Sequence, residues 1–144
     1  MSRTVAREDA FKIIFESLFH DKTAEELLAY YKEQEKDAEG YHCVSAPEDE
    51  AYVETVVTGV LEKREELDEV IRSHASASWD LSRQSKVCVA LLRLAIFEMR
   101  YMEDIPMKVS ISEAVSLCKK YETEKVKSFL NGVLGNVGKE LSNG

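Results

Sequence analysis

The chain has 144 residues, 44% of them hydrophobic and 32% charged, with 19 Lys and Arg against 27 Asp and Glu for a formal net charge of −8. That balance is ordinary for a globular domain and excludes collagen-like, bulk-disordered and membrane-spanning chains. A chain of this size can bury roughly 68–70% of its unfolded surface in one core, and only 2 Pro and 6 Gly leave few punctuators for tight turns, so the expected fold class is all-α. Charged residues follow Met1 closely, with no signal-peptide core and no run of about 18 apolar residues. The expectation is a cytoplasmic protein with no membrane partner.

Between Val5 and Phe19, apolar residues recur at Ala6, Ala10, Ile13, Ile14 and Leu18, the spacing of one helix face. Thr4 is the expected cap of this first helix, with Arg3 and Arg7 one turn apart. Thr23 followed by Glu25 and Glu26 marks a second start, a hydroxyl cap with carboxylates at the positive end of the helix dipole. Leu27, Leu28, Tyr30 and Tyr31 give this helix its apolar side to about Glu35. Residues 36–49, with Gly40, Pro47 and four acids, read as a surface loop.

Pro47 with Glu48, Asp49 and Glu50 opens a third helix, carried by Val53, Val56, Val57, Val60 and Leu61. The charged run 62–69 predicts either one long bent helix or two shorter ones before Leu67, Val70 and Ile71 resume the apolar face. Trp79 and Leu81 form a short anchor. Gln84 to Tyr101 carries the strongest periodicity, through Val87, Cys88, Leu91, Leu92, Leu94, Ala95 and Met99, and should be the central helix. Arg93 and Glu98 interrupt that stripe, and a buried charge needs a partner, so they are expected in a polar network.

Ile105-Pro106 must be extended and ends the central helix. Ser110 and Glu113 fit a capping box for the next helix, whose core face is Ile111, Ala114, Val115, Cys118 and Tyr121. Lys119 and Lys120 suit its C-terminal dipole. The last helix runs from about Glu124 to Leu141, through Leu130, Val133, Leu134 and Val137. Gly132, Gly135 and Gly138 inside it each cost roughly 1 kcal/mol relative to Ala, which predicts close approach of another helix backbone.

Cys43, Cys88 and Cys118 form no C-x-x-C pair, and His20, His42 and His74 lack metal-ligand spacing. No metal or cofactor is indicated, and Cys88 and Cys118 read as small buried hydrophobes. Basic residues gather at the two ends, with acids in between. A local basic patch can bind a polyanion even on an acidic protein, because phosphate contacts act within about a Debye length, roughly 8 Å at physiological salt. Two solvated helix faces with no ligand explain the same charges equally well.

The stretch 91–99, then Asp104-Ile105-Pro106, Val109, Ile111, Glu113-Ala114-Val115, Lys119 and Phe129-Leu130-Asn131-Gly132-Val133-Leu134 together resemble the NusB family of transcription antitermination factors. Ala6-Arg7-Glu8-x-Ala10, Gly59-Val60 and Trp79-x-Leu81-x-Arg83 fall in the expected order, so the resemblance spans nearly the whole chain. It implies about seven helices in two small packed bundles, a single RNA-binding domain with subdomains at about 1–78 and 79–144. It also implies a function without catalysis: binding boxA RNA of ribosomal transcripts together with the ribosomal protein NusE. That assembly joins RNA polymerase in an antitermination complex, suppresses Rho-dependent termination and supports ribosomal RNA synthesis.

By the same resemblance, Arg3 and Arg7 match the family's arginine-rich N-terminus, and Phe129 and Asn131 its F-x-N-G motif beside RNA. Lys119, Lys125 and Lys127 are weaker RNA candidates. Fork-shaped guanidinium donors suit phosphate, and rings and amides suit unstacked bases. A buried core ring remains the competing reading of Phe129. Phe15 and Cys88 fall at NusE-facing positions, although Cys88 stands where an acid is usual and Ser112 where Asn is usual. Fewer arginines precede Arg7 than in many relatives. The competing functional reading is a helical protein-interaction or homodimerisation module without RNA specificity. A third, the leading part of a ribosomal RNA methyltransferase, ranks lowest because no methyl-donor domain follows.

Overall fold

The computed structural model describes residues 3–34, 47–75, 80 and 83–143, which hold seven α-helices and no strand. No helix among them is long and apolar enough to cross a membrane. Trp79, Leu81, His42, Cys43 and most of the expected loop lie outside the described residues. The chain divides into two compact units, Met1–Glu62 and Lys63–Gly144.

The first unit contains α1 (Arg3–Ser17), α2 (Ala24–Gln34) and α3 (Pro47–Glu62), with α3 packed on both of the others. Its core is formed by Ala6, Ala10, Phe11, Ile13 and Ile14 of α1, Leu27, Leu28 and Tyr31 of α2, and Tyr52 and the valines of α3. At α2 the expected cap forms a reciprocal box. The Glu26 N–H donates to Thr23 Oγ1 at 3.1 Å, and the Thr23 N–H donates to Glu26 Oε1 at 2.9 Å, so two orphan helix donors are satisfied. Thr4 does not cap α1, because the helix already includes Arg3. Burial on α1 extends beyond the apolar stripe to Arg7, Glu8 and Asp9, and the Tyr31 hydroxyl donates to Asp9 Oδ2 at 3.2 Å.

The second unit contains α4 (Arg64–His74), α5 (Lys86–Tyr101), α6 (Met107–Tyr121) and α7 (Glu124–Asn143). The charged run around residue 63 therefore separates two helices rather than bending one. The division at 62/63 precedes the boundary near residue 78 expected from sequence. Its physical cause is α4, which buries Leu67 and Ile71 and packs against α5 and α7. His74 adds to this attachment: its Nε2 lies 3.3 Å from Glu140 Oε1 on α7, while its Nδ1 lies 2.8 Å from the Val70 carbonyl. Buried from Cys88 through Met99 and touching all three other helices, α5 is central as its periodicity predicted.

Its two interior charges are paired. Arg93 donates to Asp68 on α4, and Glu98, with 0% exposure, accepts from the Ser110 hydroxyl at 2.7 Å. That bond corrects the expected role of Ser110. Pro106, at φ −60° and ψ 139°, starts α6 one turn earlier, which carries Ser110 into the helix interior and leaves no side-chain cap. The cap of α5 is Ser85, whose Oγ accepts the Cys88 N–H at 3.2 Å and donates to Glu122 Oε2 at 2.6 Å.

The glycines of α7 also differ from expectation. A Cβ at Gly132 or Gly135 would meet nothing within 4 Å, and one at Gly138 would meet side-chain ends, Ile111 Cδ1 at 3.5 Å and Met99 Cε at 3.6 Å. No helix backbone approaches them among the described residues.

Candidate functional site

In the first unit, helical spacing puts Arg3 and Arg7 on one face of α1, and α3 brings Tyr52 and Asp49 up to that face. Both guanidinium carbons lie over the Tyr52 ring, Arg3 at 4.5 Å from its centroid and Arg7 at 5.7 Å. Cation–π attraction of this kind favours a held guanidinium over one swinging in solvent. The two arginines differ in reach. The Arg3 side chain is 35% exposed, and its Nε lies 3.9 Å from Asp49 Oδ1. Arg7 is only 2% exposed, engaged in further interactions within the protein, and cannot present its guanidinium to a ligand in this conformation.

Farther along α1, Phe15 stands in an aromatic ladder. Its ring centroid is 6.0 Å from that of Phe11 and 5.1 Å from that of Phe19, the latter edge-on. Phe11 is buried, Phe15 half-buried and Phe19 56% exposed, so the ladder runs from core to surface.

In the second unit, the corner between α6 and α7 gathers lysines. Lys119 and Lys120 occupy the last turn of α6, and Thr123 caps α7 by accepting the Val126 N–H at 3.3 Å, so Lys125 and Lys127 follow at once. Lys119 and Lys125 are exposed; Lys127 is half-buried and paired with Glu124 at 3.1 Å. At about 100° per residue, Phe129 and Asn131 cannot share a face of α7. Phe129 is half-buried on the flank of Lys125, whereas Asn131 is exposed on the flank of Lys127. Between the flanks run Ser128, Gly132 and Gly135, a strip nearly free of side chains.

Cys88 does not reach the surface of this unit. It is 1% exposed, and burial, then the neighbouring Cys118 and Glu122, push its thiol up to about 12. The inner face of α5 claims the Cys88 side chain, which presents no surface to a partner protein in this conformation, and its reading as a small buried hydrophobe agrees with the structure. The candidates thus fall into two groups, one per unit: Arg3, Arg7 and Phe15, and then the lysines with Phe129 and Asn131. Tyr52 and Asp49 were not legible as neighbours of Arg3 in the sequence, since the chain between α1 and α3 carries no register. The spacing of Arg3 and Arg7 was the one available signal.

The NusB family model matches residues 4–139. A transcription antitermination protein NusB of Clostridium botulinum is 37% identical over 145 aligned positions, covering 95% of this chain and 99% of that relative. That of Natranaerobius thermophilus is 39% identical, covering 99% and 98%. Among solved structures, NusB of T. maritima superposes with a TM-score of 0.81 at 28% identity, over 97% of this chain and 92% of that one. A chain from the crystal structure of antitermination factors NusB and NusE in complex with dsRNA superposes with a TM-score of 0.80 at 25% identity, over 96% of each chain.

Proposed function

The chain belongs to the NusB family, and from that membership we propose that it is a transcription antitermination factor that binds boxA-type RNA together with NusE. It works in the cytoplasm within the RNA polymerase antitermination complex, suppresses Rho-dependent termination and supports ribosomal RNA synthesis. Its action is assembly rather than catalysis. The observation that carries this reading is the likeness, along 96% of the chain, to a NusB solved with NusE and RNA.

The residues have a division of labour in this reading. Arg3, Lys119, Lys125 and Lys127 neutralise phosphates and release counterions. Phe129 offers a partly exposed ring for stacking, and the Asn131 amide a donor and an acceptor for a base edge. Phe15, through the ladder that surfaces at Phe19, meets NusE. Arg7 acts from behind, as part of the packing that holds Arg3.

Gel shifts with a boxA strand and a scrambled strand, each with and without NusE, test the proposal. The expected result is preferential binding to boxA, strengthened by NusE and weakened by salt. Equal binding to both strands under both conditions overturns sequence recognition, and a tight homodimer that ignores RNA and NusE overturns the adaptor reading altogether.

A further inference from the structure

Arg3 is held on one side and left open on the other. The Tyr52 ring lies 4.5 Å from its guanidinium carbon. The Nε is buried at the atomic level yet has no hydrogen-bond partner. Asp49 Oδ1, at 3.9 Å, is too far for a hydrogen bond and engages Arg3 through charge alone. The Asp49 side chain is itself buried, in the first turn of α3, whereas about a third of the Arg3 side chain faces solvent. A guanidinium in this state has unused donors and one loosely opposed negative charge.

We propose that Asp49 is an internal competitor for Arg3, its buried carboxylate opposing the guanidinium charge from behind while an RNA phosphate meets the solvent-facing donors and Tyr52 keeps the guanidinium in position. The inference rests on the RNA-binding reading above. A phosphate can engage two donors of the fork at hydrogen-bond distance, which the 3.9 Å carboxylate does not. The carboxylate also repels an arriving phosphate, being well within a Debye length, about 8 Å at physiological salt. Asp49 therefore limits the affinity that Arg3 could otherwise supply, and Tyr52 is a positioning residue for the same contact.

The test is a double-mutant cycle read by RNA titration of the full chain with NusE present, using a fluorescent boxA strand. Asp49→Asn should tighten binding about two- to fivefold at low salt, the range expected for a partly exposed ion pair. The gain should shrink as salt rises and vanish in an Arg3→Ala background. Tyr52→Phe should keep the gain and Tyr52→Leu lose it, since the ring rather than the hydroxyl does the positioning. Helicity is checked for each variant, and Asp49→Ser serves as the second substitution if the Asn variant does not fold.

Unchanged or weaker binding by folded Asp49 variants overturns the inference while leaving the function above intact. A gain of equal size without Arg3 does the same, because it reduces Asp49 to general repulsion. Failure of the native chain to bind boxA RNA at all overturns both.

Discussion

Arg93 on α5 grips Asp68 on α4 with two parallel hydrogen bonds, Nε to Oδ1 at 2.8 Å and Nη2 to Oδ2 at 2.9 Å, and both side chains are buried. The bidentate geometry satisfies both charges where neither has water to fall back on. Removing one partner strands the other. Asp68→Ala should therefore cost about 3–5 kcal/mol in urea unfolding, while Arg93→Met combined with Asp68→Leu should recover most of the loss. Equal destabilisation by the single and the double change would show that the pair contributes more than mutual neutralisation.

Cys88 gives the fold a weak spot at alkaline pH. Its thiol is held up at about 12 in the folded chain against 9.0 for the ordinary group. Below the lower value both states are protonated and the contribution to stability is complete. As pH rises past it, the unfolded chain releases its proton first, so stability falls by at most about 1.4 kcal/mol per pH unit until the folded thiol ionises too. Cys88→Ala should flatten, without abolishing, the alkaline limb of a stability profile, since Cys118 is raised by the same burial. Iodoacetamide at pH 8 should modify Cys88 slowly in the native chain and rapidly in urea.

Gly132 and Gly135 sit in the middle of α7 with open space where a Cβ would project. Each substitution to Ala should raise stability by about 0.5–1 kcal/mol, read as a higher thermal midpoint. If RNA approaches between the two flanks of α7, the same methyl groups should weaken RNA binding. A rise in both stability and affinity would move the contact elsewhere on the unit.

The two N-terminal arginines should separate cleanly. Arg7→Ala removes a buried side chain and should lower the thermal midpoint. Arg3→Ala should leave stability within about 0.5 kcal/mol, yet weaken RNA binding and reduce the salt slope by about one phosphate contact. Phe129→Ala should stay folded, because the ring is only half-buried, and lose about 1–3 kcal/mol of RNA affinity if a base stacks there. Circular dichroism alongside each titration distinguishes a lost contact from a lost fold.

The all-α class, the central role of α5, the Thr23 cap and the burial of Cys88 and Cys118 were legible in the sequence. Each follows from helical periodicity or from capping chemistry, which act over a few neighbouring residues. The tertiary structure alone decided that Ser110 serves Glu98 instead of capping α6, that Arg93 pairs with Asp68, and that Arg7 is buried while Arg3 is open. It also decided that Gly132 and Gly135 of α7 face open space. These outcomes depend on which helix faces meet, and a one-dimensional pattern carries the turn-by-turn spacing of side chains but not the partners that packing brings across from another helix.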